Sequence, residues 1–410
     1  MKIGNSWTAL AVGLSVSALS LSASIPPAIA ASAQPAAAAS AGDLPPPMQS
    51  ERFVLKPGQT VIGRVQMVRL KPHQVLSDVA RLFDVGNDAI QRANPKVDPW
   101  LAPAGTRVIV PTEFVLPDAP HVGVVVNLAA MRLFYYPPHA PGKPQVVITH
   151  PVGIGRLGWP TPTGVTRVIW HEAHPVWEVP RSILAEHAKE GEPLPKLVPA
   201  GPTNPLGNFA LHLGWPGYLI HGTDKPAGVG RRVSHGCVHL YPEDIRQIYA
   251  MVPNGTPVRI VNQPYLFGWR SGHLYMQAYG PLQDDKRPWT TESVTLLGKV
   301  LTNNLIQDLT RAHQRIRWSH VSALLADPRI VPLPVSGRHL AGEGLSATLV
   351  QNRLPAGSAW NGKTHLPLTS AELRKIMARY ASQGSKAGTH ARRPAVTHPA
   401  GQARSDVKST

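Results

Sequence analysis

The chain has 410 residues, a formal net charge of +17 and one cysteine. It is too long for one compact core, so we expect two or three folded units joined by linkers. A single cysteine excludes an intramolecular disulfide and a cysteine-rich metal cluster. The positive charge favours anionic partners, but no basic face with interleaved aromatic residues is found, so we expect no nucleic-acid partner.

The N-terminus has the pattern of an export signal. Lys2 precedes an apolar run from Ala9 to Leu21, and Ala28-Ile29-Ala30 has the small residues of a cleavage site. A membrane anchor is the alternative, but the run is shorter than the roughly 20 residues that cross a bilayer. We therefore predict a signal peptide over residues 1–30, an exported protein, and no transmembrane segment after cleavage.

Two segments follow the predicted signal peptide. Residues 31–50 are rich in Ala, Ser and Pro and poor in large apolar residues, which predicts a tether. From Val68 to Pro111, a β-like run, two helical stretches and a second β-run follow one another. This order predicts a small α+β domain, to which we assign residues 51–112.

From Val122 the sequence alternates β-rich runs with turns, as in a mainly β domain. One helix is predicted from Pro242 to about Pro253, because apolar residues recur at helical spacing from Ile245 and acidic residues in the first turn favour the helix dipole. The predicted strands are Val122–Asn127, Met131–Tyr136, Gln145–Thr149, Val165–Trp170, Phe209–Leu213, Tyr218–His221 and Pro257–Val261.

The C-terminal part changes character again. Residues 263–382 are predicted to form a partly helical extension, because leucines recur every four residues between Glu292 and Ala326. Thr369 and Glu372 form a capping box before another short helix. Residues 383–410 are rich in Ala, Gly and Pro with basic residues, which predicts a disordered basic tail.

The stretch from His221 to Leu240 has the composition of a nucleophilic site. A cysteine reacts as its thiolate, which requires a neighbouring imidazole or an electropositive setting. Cys237 follows the glycine turn at Gly236, where backbone N–H groups can converge on an oxyanion. The spacing of 16 residues between His221 and Cys237 does not by itself bring the two side chains together.

This stretch resembles the signature of the L,D-transpeptidase catalytic domain of the YkuD type. In that family a His-Gly pair precedes a Ser-x-Gly-Cys-hydrophobic-Arg motif, and this chain has His221-Gly222 and Ser234-His235-Gly236-Cys237-Val238. Further landmarks occur in order, among them Pro160-Thr161-Pro162-Thr163-Gly164 and Asn204-Pro205-Leu206-Gly207. The resemblance covers residues 121–262 and implies a YkuD-type β-sandwich with short helices.

The resemblance also implies roles for single residues. Cys237 is the nucleophile, and His221 is its general base, oriented through the backbone carbonyl of Gly222. The N–H groups of Gly236 and Cys237 form the oxyanion hole, and Ser234 braces the turn. His235 is a rival base two positions before the cysteine.

One position departs from the family. The family has Arg two residues after the cysteine, whereas this chain has His239. A mostly neutral imidazole cannot pair bidentately with a carboxylate as arginine does. We therefore expect substrate binding by Arg232 and Arg231 together with His239, the alternative for both arginines being an ordinary solvated turn.

Residues 68–111 resemble a LysM module, a small βααβ glycan binder. The resemblance lies in Val79-Ala80, Ile90, Asn94 and the closing Gly105-Thr106. Pro72-His73-Gln74 replaces the usual Gly-Asp-Thr near its start. A structural spacer that docks on the catalytic domain is the alternative to sugar binding.

The implied chemistry is ping-pong acyl transfer in the periplasm without a cofactor or a metal. The thiolate attacks a peptidoglycan tetrapeptide stem, D-alanine leaves, and an amine receives the acyl group. That amine belongs to another stem or to the C-terminal lysine of an outer-membrane lipoprotein. Alternatives are an L,D-carboxypeptidase that uses water, a general cysteine peptidase and a non-catalytic wall-binding protein.

A metal site at His171-Glu172-Ala173-His174 is disfavoured. A zinc-protease helix has two residues after the glutamate, which place the histidines one turn apart, and this chain has one. We expect His171 and His174 to lie on a strand and its following loop.

Overall fold

The structure, a computed structural model, describes residues 44–301, 303–337, 346–358, 360 and 362. The predicted signal peptide, most of the predicted tether, the Thr369–Glu372 capping box and the basic tail lie outside these residues. None of the helices in the described ranges combines the length and the apolar composition that crossing a bilayer requires.

The N-terminal part contains the strand, helix, helix, strand order that the sequence predicts. Its elements are β1 (Arg52–Val54), β2 (Val61–Gly63), β3 (Gln66–Arg69), α1 (Leu76–Leu82), α2 (Asn87–Ala93), β4 (Arg107–Val110) and β5 (Glu113–Val115). β3 pairs antiparallel with β4, and β2 pairs antiparallel with β5. Val68, Val79, Ile90 and Val110 meet in one core beneath the two helices. We call β3, α1, α2 and β4 the βααβ unit.

Residues 123–261 form a mainly β domain. Its elements are β6 (Gly123–Asn127), β7 (Arg132–Tyr136), β8 (Val146–Pro151), β9 (Ile154–Gly155), β10 (Gly164–Ala173), β11 (Trp177–Glu178), α3 (Arg181–Lys189), β12 (Leu197–Val198), β13 (Phe209–Leu213), β14 (Leu219–His221), β15 (Arg232–Ser234), β16 (Val238–His239), α4 (Pro242–Met251) and β17 (Pro257–Val261). The seven predicted strands correspond to β6, β7, β8, β10, β13, β14 and β17, and the predicted helix to α4. The prediction of a mainly β domain with few helices is confirmed.

Nine strands make one sheet in the order β1, β8, β7, β6, β17, β10, β13, β14, β16. β10 joins its two parts, because its first half pairs with β17 and its second half with β13, with a register shift between Val168 and Trp170. Apolar side chains from both parts and from α4 meet in one core. β14 and β16, at the end of the sheet, therefore pack against this core.

The extension after residue 262 has a core of its own. Its elements are β18 (Tyr265–Arg270), β19 (His273–Ala278), α5 (Ser293–Val300), α6 (Asn303–Arg311), α7 (Trp318–Ala326), β20 (Leu333–Pro334) and β21 (Thr348–Leu349). The predicted helical stretch is thus three helices, and Leu297, Leu301 and Leu309 are buried in the core as their spacing indicates. The β18–β19 hairpin, for which no prediction was made, pairs with β20, and β21 pairs parallel with β3.

The βααβ unit lies directly against the β domain. Arg81 of α1 donates two hydrogen bonds of 2.8 Å to the carboxylate of Glu243 in α4. The Asn87 N–H donates to the Val229 carbonyl over 3.0 Å. A Cβ atom on Gly86 would lie 2.8 Å from the Cα of Gly230, so the close approach requires glycine there. The contacts at Val229 and Gly230 lie immediately before the segment from Arg231 to Cys237, and the contact at Glu243 lies after it.

Part of the predicted tether also packs against this unit. The Met48 N–H donates to Oε1 of Gln66 over 2.7 Å, and the Ser50 hydroxyl donates to the Phe83 carbonyl over 2.6 Å. β1 then pairs antiparallel with β8 of the nine-stranded sheet. Residues 48–54 therefore contact both the βααβ unit and the β domain.

Candidate active site

His221 and Cys237 lie on neighbouring parallel strands. Ile220 of β14 is opposite Val238 of β16, and His221 is opposite His239. Cys237, the residue before β16, therefore stands beside Leu219. Because side chains alternate between the faces of a strand and directly opposite residues share a face, His221, His239 and Cys237 point to the same side of the sheet.

The register sets the separation of the two side chains. An offset of two residues is about 6.6 Å along the strands, and the strands lie about 4.8 Å apart, so the Cα atoms of His221 and Cys237 are about 8 Å apart. This is a distance that an imidazole and a thiol on one face can bridge. No hydrogen bond joins the two side chains in the part of the chain described, as is common before substrate closes a site.

The ring of His221 is fixed by the backbone. Its Nδ1 lies 2.6 Å from the carbonyl oxygen of Gly222 and therefore donates to it, which leaves Nε2 as the nitrogen that can accept a proton. Burial lowers the pKa of His221 to about 3; the neighbouring His239 adds to this, while backbone hydrogen bonds at Gly222 and Leu206 oppose it. The imidazole is consequently neutral at physiological pH.

Cys237 sits in a tight turn held by Ser234. The Ser234 hydroxyl donates to the Cys237 carbonyl over 2.6 Å and accepts from the Gly236 N–H over 3.2 Å. Gly236 has φ of +107°, in the region that favours glycine. The thiol is half-buried, and it lies 3.6 Å from the carbonyl of Gly217. Burial raises the pKa of the Cys237 thiol to about 11, while a backbone hydrogen bond at Leu219 lowers it.

The ring of His235 is bound on the side of α3. Its Nε2 lies 2.8 Å from a carboxylate oxygen of Glu186 and 3.0 Å from Nη2 of Arg156. Arg156 also pairs with Glu186 at 2.5 Å, and the Trp159 indole donates to the same carboxylate over 3.2 Å. Desolvation opposes ionisation of Glu186, but these hydrogen bonds outweigh it and lower the pKa of the carboxyl. Glu186 thus joins α3 to the turn that precedes Cys237.

His239 faces inward. Its side chain is buried, with 4% of the residue exposed, and its ring centroid lies 6.0 Å from that of His221. A Cβ atom on Gly153 would lie 1.9 Å from the ring, so the imidazole fills the space above that glycine. Burial lowers the pKa of His239 to about 4. Its part in substrate binding stays a prediction.

The two arginines before the turn differ. Arg232 donates from Nη1 and Nη2 to the carboxylate of Asp284, over 2.9 and 2.6 Å. Arg231 is half-buried and makes no side-chain hydrogen bond or ion pair with the residues that the structure describes. Substrate binding by either arginine stays a prediction.

One buried cluster has the residue types of a metal site. Within the described ranges, Asp84, His150 and Asp244 are the one group of three such residues whose ligand atoms all lie within 4.8 Å of one another. Nδ1 of His150 lies 3.3 Å from Asp84 and 3.4 Å from Asp244, and Arg132 lies 3.6 Å from Asp84. The guanidinium and a protonated imidazole together balance the two carboxylates. We therefore interpret the cluster as an ionic contact between the βααβ unit and the β domain.

His171 and His174 lie where they were expected, on β10 and in the loop after it. The ring of His171 has a protein partner at each nitrogen, Asn254 Oδ1 at 2.6 Å and the Val252 carbonyl at 2.7 Å. Both ring nitrogens are therefore occupied by contacts that hold β10 against the end of α4.

Sequence reasoning did not select Glu186, Arg156 or Asp284. Each contacts Arg232 or His235 from a position 49 to 79 residues away in the chain. No local sequence pattern predicts such long-range contacts, because an acidic residue in a helix or loop is normally expected to be a solvent-exposed charge. Trp159, whose indole donates to Glu186, is the one contact of that carboxylate that the sequence could have indicated, because it precedes the Pro160–Gly164 landmark.

Comparison with known proteins assigns the family. Residues 121–260 match the family model YkuD, described as the L,D-transpeptidase catalytic domain. The chain is 40% identical over 229 residues to "Probable L,D-transpeptidase YbiS" of Escherichia coli K12, covering 55% of this chain and 73% of the relative. It is 34% identical over 269 residues to "Probable L,D-transpeptidase ErfK/SrfK" of the same organism, covering 63% and 85%. The chain belongs to the L,D-transpeptidase family.

Proposed function

We propose that this protein is an L,D-transpeptidase that remodels peptidoglycan, with Cys237 as nucleophile and His221 as general base. The observation that carries the proposal is the shared face of β14 and β16, on which both side chains stand. His221 Nδ1 is committed to the Gly222 carbonyl, so Nε2 is the proton acceptor. His235, whose Nε2 is bound to Glu186, is the weaker candidate.

The protonation states indicate how the reaction begins. A thiol with a pKa of about 11 and an imidazole with a pKa of about 3 are both neutral at rest. The base therefore takes the thiol proton as the sulfur attacks, rather than holding a preformed ion pair.

The first half of the reaction forms the acyl-enzyme. Sulfur of Cys237 bonds to the carbonyl carbon at the L-centre of the third stem residue, and N–H groups of the turn at Gly236 stabilise the oxyanion. The Gly236 N–H must leave the Ser234 hydroxyl to do so. The amide C–N bond then breaks, D-alanine takes the proton held by His221, and a thioester remains.

In the second half, an amine attacks the thioester carbonyl and gives its proton to His221. The C–S bond breaks, a new amide forms, and the sulfur recovers the proton. We propose a stem side amine or the C-terminal lysine of an outer-membrane lipoprotein as the acceptor. Water in place of the amine would give L,D-carboxypeptidase activity.

Incubation of the full chain with a disaccharide tetrapeptide tests the proposal. We expect D-alanine release and a mass increase on Cys237 equal to the acyl group. Cys237→Ala should show neither, and His221→Gln should lower acylation by about 10²- to 10⁴-fold. Adding an excess of tripeptide amine separates crosslinking from hydrolysis. D-alanine release by Cys237→Ala would exclude the proposed nucleophile.

We further propose export to the periplasm and a LysM-like role for residues 51–112. The export signal supports the first, and N-terminal sequencing of the mature protein tests it. The βααβ order supports the second, as do the exposed Trp100 and Leu101 in the loop between α2 and β4. Binding to purified peptidoglycan should weaken in Trp100→Ala, whereas unchanged binding would favour a docking role for the unit.

A further inference from the structure

The C-terminal extension reaches the segment that carries the nucleophile. Both oxygens of Asp284, which lies between β19 and α5, accept hydrogen bonds from the Arg232 guanidinium, over 2.9 and 2.6 Å. The third donor of that side chain, Nε, bonds to the Gly155 carbonyl over 3.1 Å. The side chains of Arg232 and Asp284 are 14% and 29% exposed, so the pair is partly shielded from water. Bidentate, shielded pairs of this kind fix geometry as well as charge.

Arg232 is the first residue of β15, the short strand that leads into the turn from Ser234 to Cys237, which we call the nucleophile turn. β15 pairs parallel with β9 through Arg232 opposite Ile154 and Ser234 opposite Gly155. Ser234 then holds both the Gly236 N–H and the Cys237 carbonyl. The position of the proposed oxyanion donors therefore depends on where β15 lies, and β15 is fixed at its first residue by Asp284.

The residues before and after Asp284 in the chain hold it in place. Leu282 packs against the core of the β domain. Asp285 accepts from the indole of Trp289 over 3.1 Å and from the side-chain amide of Asn262 over 3.3 Å. Trp289 is buried in the core of the extension, edge-on to Tyr265. The residues from Leu282 to Asp285 thus connect the extension's core to β15.

We infer that Asp284 is a positioning residue for Cys237, and that the extension keeps the nucleophile turn in its reactive geometry through the Asp284–Arg232 pair. The inference rests on the proposed function, in which Cys237 reacts with a peptidoglycan stem. It also assigns Arg232 a structural role, because each of its three guanidinium nitrogens donates to Asp284 or to Gly155. The opposite reading is that Asp284 competes with a substrate carboxylate for Arg232.

Asp284→Asn in the full chain separates these readings, because it removes the charge while keeping the shape. For a positioning role we expect kcat for D-alanine release to fall about tenfold or more, since a small misplacement of reacting groups can cost up to 10²-fold. KM should change less than twofold. Asp284→Glu, which can still pair with Arg232, should recover part of kcat. Asp308→Asn, which breaks an exposed ion pair with Arg311 in the same extension, is the matched control and should not change kcat.

A second readout needs no peptidoglycan. The rate at which iodoacetamide alkylates Cys237 should rise several-fold in Asp284→Asn, because a loosened turn exposes the half-buried thiol. Slower acylation together with faster alkylation is the signature of lost positioning. A double-mutant cycle with Arg232→Gln should be non-additive, as expected for two partners of one contact.

Three results would overturn the inference. A gain in activity or a lower KM in Asp284→Asn would indicate a competitor of the substrate. Unchanged acylation and alkylation would mean that the pair has no effect on the turn. A loss of activity with a melting temperature far below that of wild type, not recovered in Asp284→Glu, would indicate a general structural role. Inactivity of the wild-type protein would instead defeat the proposed function, and the alkylation rates would still test the positioning role.

Discussion

The chemistry of the proposed pair is set by burial. His221 has 7% of its surface exposed, and Cys237 stands beside Leu219 in the same sheet. Loss of hydration disfavours the charged form of both groups, which lowers the pKa of the imidazole and raises the pKa of the thiol. Because both groups are neutral at rest, we expect the reactivity of the Cys237 thiol to depend on pH.

The alkylation rate of Cys237 by iodoacetamide should rise with pH throughout the range from 6 to 10. With the pKa of the thiol at about 11, the thiolate fraction increases about tenfold per pH unit below that value. A preformed thiolate–imidazolium pair would instead give a rate that is level between about pH 5 and pH 8. Stopped-flow or mass-spectrometric alkylation distinguishes the two, and a level profile would contradict the neutral resting state.

Gly236 has a backbone conformation and surroundings that favour glycine over larger residues. Its φ of +107° is strained for any residue with a Cβ, and a Cβ there would lie 3.1 Å from the ring of Tyr218. Gly236→Ala should lower the free energy of unfolding by about 1–3 kcal/mol and reduce acylation more than tenfold. Gly142→Ala, also at positive φ but with open space around it, is the control and should leave acylation unchanged.

Helix α4 supports the strands that carry the site. Pro242 at its first turn and the acidic residues that follow favour the start of the helix. Ile245 and Ile248 are fully buried and pack in the same core as Ile220 and Val238. The helix therefore packs against β14 and β16 and holds them in place.

Ile248→Ala should lower the free energy of unfolding by about 2–5 kcal/mol, because it leaves a cavity under the sheet. Arg246→Ala, on the exposed face of the same helix, should change it by less than about 0.5 kcal/mol. Urea unfolding followed by circular dichroism measures both. Equal effects of the two variants would mean that α4 does not support the domain core.

A buried group of charges joins the βααβ unit to the β domain. Asp84 follows α1, Arg132 lies on β7, His150 on β8 and Asp244 on α4, and Oε1 of Gln247 accepts a hydrogen bond from Nε2 of His150 over 2.6 Å. Burial opposes protonation of His150, but Asp244 and Asp84 outweigh it and raise its pKa well above 6.5. Burial, with Asp244, also raises the pKa of Asp84. At this cluster, the folded state therefore binds more protons than the unfolded chain does.

This excess of bound protons sets the sign of the pH dependence. A group whose pKa is raised by folding contributes its full stability below its ordinary pKa, here 6.5, and loses it as the pH rises through the folded value. The lowered pKa values of His221 and His239 act in the opposite direction near pH 6.5, where the unfolded histidines still bind protons. Above about pH 7.5, where those two histidines are neutral in both states, we expect the free energy of unfolding to fall with rising pH, by up to about 1.4 kcal/mol per pH unit for one proton. Denaturant titrations from about pH 7.5 to pH 9 measure this slope.

His150→Gln, although less stable overall, should lose most of the slope, whereas His139→Gln on the exposed surface should keep it. A His150→Gln slope equal to that of wild type would assign the effect to other groups.

The elements around the site and the proposed reacting residues could be predicted from the amino-acid sequence. Alternation of apolar residues predicted the seven strands around the site, helical spacing predicted α4, and the His221 and Cys237 motifs indicated nucleophilic chemistry. These signals are local, because side-chain periodicity and glycine turns are read within about ten residues.

The tertiary structure sets the surroundings of that pair. It brought Glu186 to His235, Asp284 to Arg232 and Asp84 to His150, across 49, 52 and 66 positions of the sequence. It also placed His239, at the position of the family's arginine, in the interior. A charged side chain carries no mark of its distant partner, because the partner is chosen by how the strands and helices pack and not by neighbouring residues.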